Sequence, residues 1–235
     1  MLKTIRQWLG AAASVVLPRV CPVCGKALDS DEQWLCRQCM AQLPRTRYEQ
    51  TSFNAMEQHF AGKVPIERAT AYFFYEKGAP YSSILHDIKY HNLPLMGQWL
   101  ASRAVTDMAT SRFFDDIDAV TAVPLHRSKL ASRGYNQSEY LARGITSALH
   151  IPYVNALKAI QAHSTQTRKG AFDRWLNIQG NYALSNKAHL LAGMHVLLVD
   201  DVITTGSTLT ACAVLLKTVP GVKVSVFTLA AARLG

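Results

Sequence analysis

Residues 196–208 read Val196-Leu197-Leu198-Val199-Asp200-Asp201-Val202-Ile203-Thr204-Thr205-Gly206-Ser207-Thr208, and the rest of the chain is placed around them. Four apolar residues run into two adjacent carboxylates, and a hydroxyl run broken by one glycine follows. The apolar run suits a strand covered on both faces, as in a parallel sheet. Thr204–Thr208 suits a phosphate loop at a helix N-terminus. Its backbone N–H groups and hydroxyls can donate to one anion, and the helix dipole favours that charge. Gly206 permits the tight turn and a close backbone approach. Two carboxylates beside such a loop point to a ligand carrying both phosphate and sugar hydroxyls. Neighbours on a strand face opposite ways, so Asp200 and Asp201 are expected to serve one ligand only at a strand's end. The strand is therefore expected over 196–199, and its helix over 207–218.

This run resembles the phosphoribosyl-pyrophosphate (PRPP) signature of the type I phosphoribosyltransferases at every one of its thirteen positions. The resemblance implies that Thr204, Thr205, Gly206, Ser207 and Thr208 cradle the ribose 5′-phosphate. It also implies that Asp200 and Asp201 face the ribose 2′- and 3′-hydroxyls, with Mg²⁺ accompanying PRPP. The bland alternative is an ordinary strand-turn-helix with surface carboxylates.

The 235 residues suit one medium domain, or one domain with a small appendage. With 49% hydrophobic and 17% charged residues, a substantial core is expected and global disorder is not. No stretch is long and apolar enough to span a membrane. The formal charge of +9 favours anionic partners such as phosphorylated metabolites, nucleic acid or acidic membrane, or it serves solubility alone. The basic residues are spread out. At the N-terminus, Leu2, Ile5, Leu9, Ala12, Ala13 and Val16 recur at helical spacing. An amphipathic helix over 1–17, stopped by Pro18, is preferred to a targeting peptide.

Cys21, Cys24, Cys36 and Cys39 form two Cys-x-x-Cys pairs with eleven residues between them. Such pairs can bring four thiolates to one tetrahedral zinc. Two disulfides are the competing reading, and nothing else in the chain looks secreted. Four thiolates leave no open position, so the zinc is expected to be structural, folding a module over about 18–44. Cys212 lies with Leu209, Ala213 and Leu216 on one helix face and is read as a packed apolar residue.

Over 66–235, strand and helix patterns alternate, as in a parallel sheet with helices on both faces. Strands are expected at 71–75, 119–123, 153–160 and 222–229, and helices at 81–90, 95–108 and 136–149. Ligands in such folds sit outside the carboxyl ends of the strands. That draws attention to the segment following Val123, where Pro124, Arg127, Lys129 and Arg133 would form a basic loop suited to a multiply charged phosphate. The type I resemblance implies that this loop meets pyrophosphate. His126 could be a general base, but a lone histidine in a polar loop is more often solvent-facing or structural. Residues 161–182 are basic and patternless. The resemblance implies a mobile lid there, with Arg168, Lys169 and Arg174 beside the departing pyrophosphate.

The cysteine module, Leu85-His86-Asp87-Ile88-Lys89-Tyr90, Val123-Pro124-Leu125-His126, Arg133-Gly134-Tyr135-Asn136-Gln137, Gln166-Thr167-Arg168 and the PRPP signature occur in that order. The whole is similar to the ComF (GntX-like) family of bacterial competence proteins. The resemblance implies a cytoplasmic role in natural transformation, either free or peripheral to the inner membrane, with competence proteins and incoming single-stranded DNA as partners. It implies transfer of phosphoribose from PRPP to an acceptor it does not name. The alternative is a non-catalytic DNA-handling protein that keeps PRPP as a ligand. Trp34, Tyr135 or Trp175 would then stack on bases.

Overall fold

The computed structural model describes residues 19–160 and 181–233. The expected N-terminal helix, the lid residues Arg168, Lys169 and Arg174, and Trp175 lie outside the described residues.

The centre is a four-stranded sheet of β1 (Ala69–Tyr75), β2 (Ala119–Ala122), β5 (His195–Ile203) and β6 (Lys223–Ala232), in the order β1-β6-β5-β2. Every pairing is parallel. Leu197 and Val199 face one core and Val196 and Leu198 the other, and each strand residue from His195 to Val199 is buried. That two-sided burial is why these strands read as continuous apolar runs. The short strands β3 (Leu157–Ala159) and β4 (Tyr182–Leu184) form a separate antiparallel pair. The expected strand over 153–160 is thus shorter, with Tyr153 contributing one parallel bridge to Val120.

On one face of the sheet lie α3 (Ser82–Tyr90), α4 (Pro94–Asp107) and α6 (Gln137–Leu149). Pro94 opens α4, where a missing N–H costs nothing, and the Asn136 carboxamide caps α6 by accepting from Ser138 N. A Cβ on Gly144 would lie 2.1 Å from the Gln98 carbonyl oxygen, so only glycine lets α6 approach α4 this closely. The opposite face is covered by α7 (Ser207–Leu216) and α2 (Ala55–Gln58), with Leu209, Cys212, Ala213 and Leu216 in its core. Cys212 is fully buried there, as its helix face predicts.

The short helix α1 (Arg37–Ala41) belongs to the cysteine segment. This segment is not a hanging appendage. Cys21, Leu35, Cys36, Cys39 and Leu43 share one core with Tyr72, Phe73, Ile84 and Leu85. Phe74 N–H donates to the Pro44 carbonyl (2.7 Å) and Arg45 bridges Phe73, so residues 44–46 add to the outer edge of β1. That pairing covers one exposed sheet edge.

The basic segment after Val123 is not a loop. Arg127–Arg133 is a helix, α5, capped by His126, whose Nδ1 accepts from Ser128 N. The structure thus uses His126 as a cap.

Candidate functional site

β5 does not stop at Val199. It runs through both aspartates to Ile203, so alternation still acts on them. Asp201 is 4% exposed and turns toward α3 and α6. Its Oδ2 accepts from Lys89 Nζ at 3.0 Å and from Gln137 Nε2 at 2.8 Å. Asp200 is half-buried, and its Oδ1 accepts from Ser138 Oγ at 2.7 Å and from the Asp201 N–H at 2.9 Å. The two carboxylates therefore have different surroundings. Asp201 is neutralised by a cation and an amide, and Asp200 has only dipolar donors.

Burial, reinforced by the negative charge of Asp201, pushes the Asp200 carboxyl up to about 7. The Ser138 hydroxyl, the Asp201 N–H and Lys89 act in the opposite direction and do not cancel it.

Beyond Ile203, Thr204 and Thr205 are exposed and Ser207 and Thr208 half-buried, at the start of α7. A shallow pocket is lined by Asp200 and the residues from Val202 to Leu209. Gly206 has φ 71° and caps the helix in the left-handed region. A Cβ there would meet the His59 Cβ at 3.3 Å and Ile203 Cδ1 at 3.6 Å. Gly206→Ala is expected to cost about 1–2 kcal/mol from backbone conformation alone. It should also weaken any phosphate held by the loop, measured by thermal melting with and without added phosphate ester.

Three side chains at this site carried no sequence signal for their roles. His59, just after α2, packs on the 204–208 loop, and its pKa is lowered by burial and then by Lys63. Lys89 and Gln137 stood in recognisable motifs, but their partner Asp201 is distant in sequence. Of the basic trio after Pro124, Arg127 and Lys129 are exposed. Arg133 is half-buried, bonded to Gln137 Oε1, with its guanidinium 5.4 Å from the Tyr90 ring centroid. Arg133 and the Asp pair thus belong to one connected polar network through Gln137. Pro124 is half-buried at the end of β2. Tyr135 is buried, its hydroxyl donating to the Ile88 carbonyl, so it does not present a ring for base stacking. Trp34 is half-buried against the core cluster and likewise offers no free platform.

The four cysteine sulfurs lie within 4.8 Å of one another. Cys24 and Cys36 sulfurs are 3.7 Å apart. The edge of a tetrahedron with Zn–S bonds of about 2.3 Å is about 3.8 Å. Cys36 Sγ accepts from Cys39 N–H at 3.4 Å, the kind of donor that steadies a thiolate. The cluster fits zinc in donor chemistry and spacing.

Residues 132–234 match the family model of the phosphoribosyl transferase domain. Together with the parallel sheet and its helices on both faces, this gives the type I phosphoribosyltransferase fold class. The chain is 32% identical over 157 residues to "Competence protein F" of Haemophilus influenzae, covering 65% of this chain and 69% of that protein. It is 27% identical over 201 residues to "DNA utilization protein YhgH" of Escherichia coli K12, covering 84% of this chain and 83% of that one. Among solved structures, the adenine phosphoribosyltransferase of Saccharomyces cerevisiae is 16% identical with a TM-score of 0.38, over 60% of this chain and 71% of that one. Among the described residues, no helix is long and apolar enough to cross a membrane.

Proposed function

The chain belongs to the ComF family, and on that footing we propose that it binds PRPP with Mg²⁺ and transfers its phosphoribosyl group to an acceptor, in the service of DNA uptake. The observation that carries the reading is one pocket shared by Asp200 and the hydroxyl loop Thr204–Thr208 at the carboxyl end of β5. Parallel α/β sheets bind ligands at that edge.

The loop and the α7 N-terminus receive the 5′-phosphate through Thr204, Thr205, Ser207, Thr208 and backbone N–H groups. Asp200 accepts from the ribose hydroxyls. Asp201 acts from behind. Its charge raises the basicity of Asp200, and its own pairing with Lys89 and Gln137 fixes the end of β5. Arg127 and Arg133, the first and last residues of α5, would meet pyrophosphate, with Pro124 setting the exit from β2. Mg²⁺ bound with PRPP would neutralise pyrophosphate charge. The residues from Arg168 to Arg174 would exclude water, against which a cationic sugar centre needs protection. Catalysis on this scheme is orientation and charge stabilisation, with no side-chain nucleophile. The cysteine cluster would hold structural zinc in the module 18–44, the catalytic domain spanning 66–235.

In a second reading the chain handles single-stranded DNA and keeps PRPP as a ligand only. The +9 charge and the exposed Arg127 and Lys129 favour it. Two measurements test the pair. PRPP with Mg²⁺ is expected to bind in calorimetry, and a screen of nucleobases and amines is expected to find an acceptor that releases pyrophosphate. Binding without release across the screen selects the second reading. No PRPP binding overturns both.

A further inference from the structure

The outer face of α3 carries His86, Asp87 and, at its C-cap, His91. His86 and His91 are exposed and Asp87 is half-buried between them, while Ile84, Leu85 and Ile88 are buried. Each of the three offers one ligand atom, and those atoms lie within 4.8 Å of one another. Both imidazoles address the same oxygen. His91 Nδ1 is 2.6 Å and His86 Nδ1 3.8 Å from Asp87 Oδ1. The two rings are 4.8 Å apart between centroids.

The Asp87 side chain is only 15% exposed. Among the described residues its ion-pair partners are these two imidazoles and no lysine or arginine. Lys89, on the same helix, is committed to Asp201. A mostly shielded carboxylate on a chain of net charge +9 would ordinarily draw a lysine or arginine. Here it is reserved for two ring nitrogens that are themselves metal ligands in their neutral form.

We propose that His86, Asp87 and His91 form a second metal site, separate from the cysteine cluster. It would take a first-row divalent ion such as Zn²⁺, Co²⁺ or Ni²⁺ on two imidazole nitrogens and one carboxylate oxygen. That donor set favours these ions over Mg²⁺, which takes oxygen ligands and keeps its waters. Three protein ligands leave at least one coordination position open to water or an anion. The helix is tied to the end of β5 by Lys89 to Asp201, and to the start of α6 by the Ile88 carbonyl accepting from the Tyr135 hydroxyl. An ion clamping the C-terminal turn would therefore order the segment that carries Lys89.

The test uses the full chain without a histidine tag, dialysed against Zn²⁺ in the presence of millimolar Mg²⁺. The His86→Ala/His91→Ala variant is expected to hold one zinc fewer per chain than wild type. Asp87→Asn should weaken that same equivalent at least tenfold. In a parallel dialysis with Co²⁺ in place of Zn²⁺, the spectrum of wild type minus that of the double variant should show weak visible bands without thiolate charge transfer. These readouts are differences between chains, so they stand whether or not the cysteines hold zinc. Equal zinc content in wild type and the double variant overturns the site. So does a Co²⁺ difference spectrum with no bands. Both histidines are exposed, and their removal leaves the buried face of α3 intact.

Discussion

Asp200→Asn is expected to raise the melting temperature of the unliganded chain above pH 7 while abolishing its stabilisation by PRPP and Mg²⁺. The folded chain holds the Asp200 proton up to about pH 7, whereas an unfolded aspartate releases it near pH 4. Between those values the native state binds more protons than the unfolded state, so this group removes stability as pH rises from about 4 to about 7. Asparagine does not titrate. The difference in melting temperature between variant and wild type should be near zero at pH 4, grow through the interval and level off above 7. For a chain of this length, each kcal/mol is worth about 2–4 °C. Asp201→Asn should do the opposite. Its carboxylate is paired with Lys89, which is largely shielded, and the variant leaves that ammonium without its counter-charge. A loss of about 1–3 kcal/mol is expected there. Paired melts across pH 4–8, with and without PRPP, check all of this. An Asp200→Asn variant that keeps the PRPP shift would sink the ribose assignment. A pH-independent difference would sink the account of its charge.

The unequal surroundings of the two carboxylates mark which part of the site was legible in the sequence. The strand, the hydroxyl loop and the carboxylates are contiguous and could be read locally, because each depends on a few neighbouring residues. The unequal roles of Asp200 and Asp201 depend on Lys89, Gln137 and Ser138, which tertiary packing brings to the end of β5. No local pattern announces them. The helix α5 escaped for a different reason. Arg127-Ser-Lys-Leu-Ala-Ser-Arg133 has no apolar stripe, buries no residue, and is capped by a histidine rather than by Ser, Thr, Asp or Asn. Its helicity rests on propensity and on the Gly134 terminus, so the periodicity that marks amphipathic helices is missing. The strand expected over 153–160 is shorter because, among the described residues, β3 pairs with β4 alone and Tyr153 keeps a single bridge to the main sheet. Tyr135 looked like an exposed aromatic in a basic segment, and burial could not be inferred from its neighbours.

Removing the proposed zinc should lower the melting temperature of the whole chain, not of a separable module. Cys21, Cys36 and Cys39 lie in the same core as Tyr72, Phe73, Ile84 and Leu85, and Pro44 hydrogen-bonds to β1. A loss of order there exposes the sheet's outer edge and the apolar faces of α3 and α4. Structural zinc contributes roughly 10–16 kcal/mol in small peptides. Even half of that, divided among the cluster and its packing, corresponds to a drop of more than about 10 °C here. Cys36→Ser with Cys39→Ser, followed by calorimetry and elemental analysis, should show one transition at lower temperature and zinc reduced by one per chain. The double variant would be hard to interpret if it does not accumulate, so chelator titration of wild type is the parallel measurement. Zinc release and loss of the sheet's transition should coincide. A module that lets go of its metal while the sheet melts unchanged would mean the shared core carries little energy between them, and the cysteine segment would then be a true appendage. Purified chain without zinc would remove the metal altogether. Four thiols would then be left crowded together, three of them buried, an arrangement that calls for some other bonding partner at those sulfurs.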